Sequence, residues 1–283
     1  MNKILLVDDD RHTGEALAAT LRILGYAVEV VVDGKRAEER AAEFLPDIAV
    51  VDLNLPGISG MDVVSRLSSS PQPVYCCLAT GMAEFSLLKR ALAAGAWTLM
   101  GKPFGLVHLN AILQTAAVMI TARNLSKTMR ETLPQDMLMI TRRGDTPVNS
   151  EDMARVMRYA ERCGADDETY ARRLPIIAYE LLSNARTFGA KESSEHTYRL
   201  LMQEDEASIQ VLVADSGRGF AWKRELPRLR NRWDKSKASG LQLVTALCDS
   251  IEYSEDEFTA SVSVSKIWTP EPAERPLPFV SLR

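Results

Sequence analysis

Five polar side chains stand at the ends of short apolar runs in the first part of the chain. Asp8 and Asp9 end the first run, Asp52 the third, Thr80 the fourth and Lys102 the fifth. Carboxylates brought close together repel one another unless a cation offsets their charge, and oxygen ligands of this kind suit Mg²⁺. A hydroxyl and an ammonium group opposite them suit the oxygens of a transferred phosphoryl group. These residue types predict magnesium-dependent phosphoryl chemistry if the five lie together.

The elements that would bring them together are the strands of a parallel sheet. The runs are KILLVDD, AVEVVV, DIAVVDL, PVYCCLAT and TLMGK, and helical patterns that end at Gly25 and Gly95 lie between them. Nearly continuous apolar strands that alternate with helices predict a doubly wound α/β domain with a five-stranded parallel sheet. Ligands bind such sheets at the carboxyl ends of the strands, so the polar residues are expected to form one site there.

This arrangement closely resembles the receiver domain of two-component response regulators over residues 1–120. The resemblance implies a flavodoxin-like fold in which Asp52 is the phospho-acceptor nucleophile. It further implies that Asp9 and Asp52 bind Mg²⁺ directly. Asp8 would act partly through water, and the backbone carbonyl of Asn54 would complete the protein ligands.

In such a domain Thr80 and Lys102 contact the phosphate, and the Lys102–Pro103 peptide bond is cis. One position departs from the family pattern, because Leu99 stands where an aromatic residue is usual, three positions before the lysine. An aromatic ring there reports phosphorylation by turning inward behind the threonine. The signal is therefore expected to leave by another route, for which nearby Trp97 could substitute.

A second group of polar residues begins in the run IIAYELLSNARTFGA. This run places Glu180 and Asn184 one helical turn apart and therefore on one helix face. By itself the pattern fits an exposed polar stripe on an amphipathic helix better than it fits a site. The surrounding motifs decide between the two.

Downstream, a strand-like alternation ends at Asp215, and Gly217 and Gly219 follow it. Glycines let the backbone approach a ligand closely, and Asp215 could accept a hydrogen bond from a donor such as an adenine amino group. The motif alone would as readily be a tight turn. Gly240 stands at the N-terminus of a predicted helix, where backbone amides and the helix dipole favour phosphate.

The order of elements in this part differs from that of the first domain. Helical patterns at 150–163 and 168–188 precede two strand-like runs, HTYRLLMQ and SIQVLVADSGRGF. A basic segment, a predicted helix SGLQLVTALCDSI and a closing strand FTASVSVSKIW follow. A strand hairpin with helices on one side predicts an α+β sandwich.

In this order, ELLSNA, DSGRG and KASGLQLV resemble the ATP-binding domain shared by histidine kinases, gyrase-type ATPases and anti-sigma serine kinases. The resemblance implies that Asn184 coordinates Mg²⁺ and that Glu180 orients water or acts as a general base. Asp215 would recognise adenine. Further ATP contacts would come from Gly217, Gly219, Gly240 and Lys237, the last on a basic lid that also carries Lys235.

Two departures bear on whether this domain transfers phosphate. The family's second glycine box is often Gly-x-Gly-Leu-Gly-Leu, and here Ala238 and Gln242 replace two of its glycines. Nucleotide binding is therefore better supported than hydrolysis or transfer. The three histidines His12, His108 and His196 lack an HExRTP-like signature. If the chain is an enzyme, a serine/threonine kinase of the anti-sigma type fits better than a histidine autokinase.

A long helix is predicted over residues 105–131. Its apolar stripe consists of Leu106, Leu109, Leu113, Ala116, Met119 and Ile120. A receiver's last helix needs only the first half of this length, so the rest must pack on the second domain or on a second copy, and a homodimer is expected. The predicted domains are 1–120 for the receiver, 105–135 for the connector helix, 136–270 for the ATP-binding domain and 271–283 for a proline-rich tail.

Bulk properties weigh against some classes of function. The 283-residue chain has a net charge of −4 and a pI near 5.6, whereas nucleic-acid-binding proteins usually carry a strongly basic surface. The sequence predicts no membrane span, because it contains no long uninterrupted apolar stretch. It predicts no signal peptide, because the N-terminus turns acidic after a short apolar run. The cysteines show no metal-ligand spacing. A cytoplasmic protein is expected, without nucleic-acid or membrane partners.

The favoured hypothesis is a response regulator of a two-component phosphorelay, in which phosphorylated Asp52 controls an ATP-binding, kinase-like output domain. A sensor histidine kinase or a phosphotransfer protein would donate the phosphate, Mg²⁺ and ATP would be the cofactors, and a downstream protein would be the target. The alternative is a non-catalytic adaptor whose degenerate ATP-binding domain docks a partner after phosphorylation. A transcription factor is disfavoured, because no helix-turn-helix pattern follows the first domain.

Overall fold

A computed structural model of the chain describes residues 2–70, 72, 74–82, 84–129, 137–216, 240–253 and 259–267. The chain forms two compact units, which meet in sequence between Ala117 and Val118. Each unit is built on its own five-stranded sheet.

The first sheet is parallel. Its strands are β1 Lys3–Val7, β2 Ala27–Val31, β3 Ile48–Asp52, β6 Tyr75–Thr80 and β7 Thr98–Gly101, and the short pair β4 Asn54–Leu55 and β5 Ile58–Ser59 lies after β3. The strand order is β2-β1-β3-β6-β7. The inner strands are almost wholly buried, as the nearly continuous apolar runs require. The predicted doubly wound α/β fold is confirmed.

Helices connect these strands and cover the sheet. They are α1 Arg11–Ile23, α2 Ala37–Phe44, α3 Gly60–Ser68 and α4 Phe85–Ala93. The side chain of Asp10 accepts hydrogen bonds from the first amides of α1, and Ser59 does the same for α3. Beyond α1 and α4 the backbone turns at Gly25 and Gly95, with φ of 92° and 100°, a conformation that strains other residues.

Strand register sets which side chains meet at the carboxyl edge of the sheet. Val7 of β1 pairs with Val51 of β3 in parallel register, so the residue after β1 lies beside the last residue of β3. Likewise Thr80 of β6 pairs with Gly101 of β7, which puts Lys102 at the level of the same edge. The predicted polar positions therefore share one edge.

The helix predicted over residues 105–131 is α5, Leu106–Thr128. Of the predicted stripe, Leu109, Leu113, Ala116 and Met119 are buried, while Leu106 is half exposed. Among the described residues, α5 alone is long and apolar enough to cross a membrane by length and composition. Core helices of globular domains pass the same test, and α5 buries these side chains inside the protein.

The second sheet is antiparallel and forms the other unit. Its strands are β8 Met137–Arg143, β9 Thr197–Glu204, β10 Ser208–Asp215, β11 Ser250–Tyr253 and β12 Thr259–Ser265, in the order β11-β12-β10-β9-β8. Buried Leu138 and Ile140 alternate with exposed Met137 and Met139 along β8, so one face of the sheet is covered.

In the part of this unit that the structure describes, helices accompany the sheet and confirm the predicted α+β arrangement. They are α6 Ser150–Arg162, α7 Leu174–Asn184 and α8 Gly240–Leu247. The central helix α7 packs against both α6 and α8, and all residues from Leu174 to Ala178 are buried. π-Helical turns extend α7 at both ends, over Thr169–Arg173 and Ala185–Gly189.

The C-terminal boundary predicted for the last helix is wrong. The helix was expected to continue to Ile251, but α8 ends at Leu247 and Ser250 begins the edge strand β11. The amide of Asp249 donates to the carbonyl of Ser263 at 3.0 Å, which turns the chain onto β12. Pairing with a neighbouring strand overrides the local helical pattern here.

Buried Arg173 fixes the end of α8. Its Nε and Nη2 donate to the carbonyl oxygen of Leu247 at 3.0 and 2.7 Å. Its Nη1 lies 3.3 Å from Thr169 Oγ1 and 3.4 Å from the carbonyl oxygen of Ser265. Burial lowers the pKa of Arg173, and nearby Asp249 partly offsets that effect. One side chain thus links the turn before α7 to α8 and to β12.

Candidate functional site

Three carboxylates cluster at the carboxyl edge of the first sheet. Asp8, Asp9 and Asp52 each offer a carboxylate oxygen, and these oxygens all lie within 4.8 Å of one another. Asp8 and Asp52 are partly buried and Asp9 is exposed. The neighbouring Asp10 does not take part, because its side chain caps α1. An all-oxygen donor set of this size fits Mg²⁺, and these residues would hold it.

The ammonium group of Lys102 lies between two of these carboxylates. Its Nζ donates to Asp8 Oδ2 at 2.7 Å and to Asp52 Oδ2 at 2.5 Å. Partial burial lowers the pKa of Lys102, but the hydrogen bonds with Asp52 and Asp8 outweigh burial and leave the pKa raised. The side chain is therefore a fixed positive charge at the site.

Backbone contacts hold Asp52 in place. The Asn54 amide donates to Asp52 Oδ1 at 3.0 Å, and the Gly60 amide donates to the Leu53 carbonyl at 2.9 Å. A Cβ on Gly60 would overlap the carbonyl oxygen of Asp52. Gly60 is not among the site residues predicted from the sequence, although its position in LPGISG, soon after the acidic residue, is a usable signal.

Thr80 lies at the same edge and is buried. Its Oγ1 accepts a hydrogen bond from the amide of Met82 at 3.1 Å, and its carbonyl oxygen accepts one from the amide of Lys102 at 2.6 Å. The Lys102–Pro103 peptide bond is cis, as predicted. The edge thus carries a hydroxyl and a cation beside the three carboxylates.

The suggestion that Trp97 could replace the missing aromatic switch is wrong. Its amide donates to the carbonyl of Cys76, at the amino end of β6, whereas Thr80 ends that strand. The indole packs edge to face on Tyr75, with ring centroids 6.5 Å apart. Leu99 is fully buried. Leu99 occupies the usual switch position but carries no ring, and Trp97 lies too far along the strand for its ring to turn in behind the Thr80 hydroxyl.

In the second unit, Glu180 lies against the start of α8. A Cβ on Gly240 would overlap the carboxylate of Glu180. Burial raises the pKa of Glu180 from 4.5 to about 7. A carboxyl group with that pKa can exchange a proton near neutral pH, which is what a general base requires.

Asn184 and Asp215 end neighbouring elements of this unit. Asn184 is the last residue of α7, and Asp215 is the last residue of β10. The Asp215 carboxylate lies over Gly189, where a Cβ would overlap it. Gly189 is not among the site residues predicted from the sequence, although NARTFG places it close behind Asn184. Gly217, Gly219, Lys235, Lys237 and Ala238 lie outside the described residues, so their predicted roles are not tested.

The histidines offer no exposed acceptor on a helix hairpin in the described part of the chain. His108 is partly buried, and neither of its ring nitrogens has a hydrogen-bond partner among the described residues. Burial lowers its pKa. His12 lies in the first turn of α1, and His196 precedes β9.

Comparison with known families assigns both units. The response regulator receiver domain matches residues 4–114, and the histidine kinase-like ATPase domain matches residues 146–266. The chain is a response regulator receiver domain fused to a histidine kinase-like ATPase domain. The predicted fusion is confirmed, and it supports a role in two-component signalling.

Similar proteins match the receiver part. Response regulator MprA of Mycolicibacterium vanbaalenii is 36% identical over 107 residues, which are 38% of this chain and 46% of that protein. The transcriptional regulatory protein PrrA of Mycobacterium leprae is 34% identical over 107 residues, which are 38% of this chain and 46% of that protein. The match spans less than half the length of either relative.

Solved structures match the same part. The chemotaxis response regulator CheY4 of Vibrio cholerae is 28% identical with a TM-score of 0.39, and the match covers 41% of this chain and 98% of that one. The BeF3-activated receiver domain of Klebsiella pneumoniae RstA is 33% identical with a TM-score of 0.38, covering 40% and 96%.

Proposed function

We propose that this chain is a response regulator whose phosphorylation on Asp52 controls an ATP-binding, kinase-like output domain. The observation that carries the proposal is the cluster of Asp8, Asp9 and Asp52, in which Asp8 and Asp52 accept hydrogen bonds from the ammonium group of Lys102. A sensor histidine kinase or a phosphotransfer protein would donate the phosphoryl group, and the output domain would phosphorylate a downstream protein on serine or threonine.

The chemistry at Asp52 is a phosphoryl transfer between a donor histidine and a carboxylate. An Asp52 oxygen attacks phosphorus, the P–N bond of the donor phosphohistidine breaks, and a proton converts the leaving histidine to neutral imidazole. When bound, Mg²⁺ would offset the charge of the transferred group. Lys102 supplies a fixed positive charge, and the Thr80 hydroxyl can donate to a phosphoryl oxygen.

The proposed ATP site uses residues from three elements of the second unit. Asn184 at the end of α7 would ligate Mg²⁺ through its amide oxygen, since Mg²⁺ prefers oxygen ligands. Glu180 would accept the proton of the attacking hydroxyl, with its pKa near 7 matched to that task. Asp215 would accept a hydrogen bond from adenine, and Gly240 would face the phosphates at the start of α8.

The first test is calorimetric titration of ATP with Mg²⁺ into the purified protein, with and without beryllofluoride as a mimic of phospho-Asp52. We expect binding whose affinity changes with beryllofluoride and which Asn184→Ala abolishes. Asn124→Ala, a substitution of an exposed amide on α5, is the matched control. Absence of ATP binding in both states would contradict the proposal.

Phosphorylation of Asp52 is tested separately with acetyl phosphate and intact-protein mass spectrometry. The wild-type protein should gain one phosphoryl group in the presence of Mg²⁺, and Asp52→Asn should gain none. Asp62→Asn on α3 is the control and should react as the wild type does. Labelling of Asp52→Asn would show that another residue is the acceptor.

The second candidate is a non-catalytic adaptor that docks a partner after phosphorylation. Gln242, at a glycine position of the related ATPases, is almost fully buried in α8, and its side chain fills space that a glycine leaves open. ATP turnover, or phosphate transfer from ATP to any protein, would eliminate this candidate.

The remaining parts of the proposal concern location and assembly. ATP and Mg²⁺ are cytoplasmic, so we place the protein there, without nucleic-acid or membrane partners. A homodimer is proposed from the length of α5, and light scattering of the purified protein at micromolar concentration would detect it.

A further inference from the structure

Gly189 stands at the end of the helix that carries Asn184. After Asn184 the chain continues through the π-helical turn Ala185–Gly189, and the amide of Ala190 donates to the carbonyl of Ala185 at 2.7 Å. Such wider turns often occur at functional sites. The turn brings the backbone of Gly189 beneath the end of β10.

The carboxylate of Asp215 occupies the space where a side chain at position 189 would begin. A Cβ built on Gly189 would overlap both carboxylate oxygens and the carbon between them. An aspartate has only two side-chain torsions, and its backbone is fixed by pairing with Tyr198 across β10 and β9. A larger residue at position 189 would therefore displace the carboxylate.

Backbone conformation does not require glycine at this position. Four glycines of the described chain have positive φ, namely Gly25, Gly57, Gly95 and Gly164, and Gly189 is not among them. Alanine would stabilise a helical turn relative to glycine, because glycine loses more conformational freedom on folding. The requirement at position 189 is therefore space, and the group that takes the space is the Asp215 carboxylate.

We propose that Gly189 is a positioning residue for recognition of the nucleotide base. It lets the Asp215 carboxylate lie over the turn that follows Asn184, where it accepts a hydrogen bond from the exocyclic amino group of adenine. This inference rests on the proposed ATP-binding function. Guanine carries a carbonyl oxygen in place of that amino group, so the arrangement selects ATP over GTP.

The first arm of the test measures stability and needs no nucleotide. Urea unfolding is compared for wild type, Gly189→Ala, Asp215→Ala and the double variant. We expect Gly189→Ala to lower the unfolding midpoint in the wild type and to leave it unchanged or raise it in the Asp215→Ala background. Equal losses in both backgrounds would overturn the proposal, since the overlap would not involve Asp215.

The second arm measures binding of ATP and GTP by calorimetry. Gly189→Ala should weaken ATP binding about tenfold or more, which corresponds to about 1.4 kcal/mol, and should reduce the preference for ATP over GTP. In the Asp215→Asn background the same substitution should cause no further loss. Gly105→Ala is the matched control, because no heavy atom lies within 4 Å of its added Cβ.

The outcomes separate this proposal from the function on which it rests. If the wild type binds neither ATP nor GTP, the proposed function fails and the role in base recognition fails with it. If the wild type prefers ATP and folded Gly189→Ala keeps that preference, only the positioning role of Gly189 is overturned. Additive losses from Gly189→Ala and Asp215→Asn would also overturn it.

Discussion

At the scale of single residues, Lys102 determines the charge of the acidic cluster. Its ammonium group contacts Asp8 and Asp52 and keeps a raised pKa. The same group offsets the negative charge that would otherwise attract a cation and also provides a contact for an incoming phosphoryl group. Because of these two roles, removal of the ammonium group should strengthen Mg²⁺ binding but weaken the reaction with a phosphoryl group.

Lys102→Met should tighten Mg²⁺ binding and slow phosphorylation. Removing the internal cation leaves the carboxylates with more uncompensated charge, while the lost contact to the phosphoryl group should cost about 10²-fold in rate. Calorimetry gives the first quantity, and acetyl phosphate labelling followed over time gives the second. Lys127→Met on α5 serves as the control. Weaker Mg²⁺ binding by Lys102→Met would contradict this account.

Glu180 should make stability depend on pH. Because its pKa in the folded protein, about 7, lies above the ordinary 4.5, folding favours the protonated form. Its stabilising contribution is complete below pH 4.5 and is lost as the pH rises through 7. Glu180→Gln removes this dependence, so wild type should lose on the order of 2–3 kcal/mol more than the variant across that range.

Urea unfolding at a series of pH values measures the effect of Glu180. Glu195→Gln, a substitution at an exposed position, should follow the wild-type pH profile. Parallel profiles for wild type and Glu180→Gln would show that the pKa of Glu180 is not raised in the folded protein. If Glu180 is also the general base, ATP-dependent activity should rise as the pH passes 7, the opposite direction to stability.

At the scale of elements, Arg173 connects α8 to the turn before α7 and to β12. Arg173→Met should destabilise the protein by about 2–4 kcal/mol, because the Leu247 carbonyl loses both hydrogen bonds from the guanidinium group and the Ser265 carbonyl keeps Thr169 Oγ1 but loses Arg173. Arg36→Met, which removes an exposed ion pair with Glu39, should cost less than about 1 kcal/mol. Equal midpoints for the two variants in urea would rule out this role for Arg173.

The sequence predicts elements well where they are long or flanked by strong signals. The parallel strands follow from their apolar runs, and α5 follows from the helical periodicity of its apolar residues. Gly25 and Gly95 mark helix ends as expected. Both edge strands of the second sheet were missed. β8 is a short alternation after a polar segment, and β11 continues a helical pattern, so only pairing with β9 and β12 defines them.

The site residues likewise divide into those that can be predicted from the sequence and those that cannot. Side chains with their own chemistry, such as Asp52, Lys102 and Glu180, can be proposed from type and spacing. The motifs LPGISG and NARTFG mark the positions of Gly60 and Gly189, but the roles of these glycines could not be proposed, because those roles depend on which atoms of other elements approach them. That information depends on tertiary packing, which residue spacing along the chain does not contain.

At the scale of the whole molecule, each unit has its own sheet and buried core. We therefore expect two thermal unfolding transitions in calorimetry rather than one. Mg²⁺ with beryllofluoride should raise the midpoint temperature of one transition, and Mg²⁺ with ATP should raise that of the other. At a ligand concentration 100 times Kd, each ligand should add about 2.7 kcal/mol to the free energy of unfolding of its unit. Asp52→Ala should remove the first shift and Asn184→Ala the second. A single transition that responds to both ligands would contradict this expectation.

The contact between Gly60 and the Asp52 carbonyl oxygen has a consequence for saturation mutagenesis. Every single-nucleotide missense change in a glycine codon adds a side chain, and a Cβ at position 60 would overlap that oxygen. A complete variant library should therefore show position 60 to be as intolerant as position 52, although glycine contributes no reactive group. A map of mutational tolerance across the receiver would therefore identify residues that hold Asp52 in place as clearly as it identifies Asp52 itself.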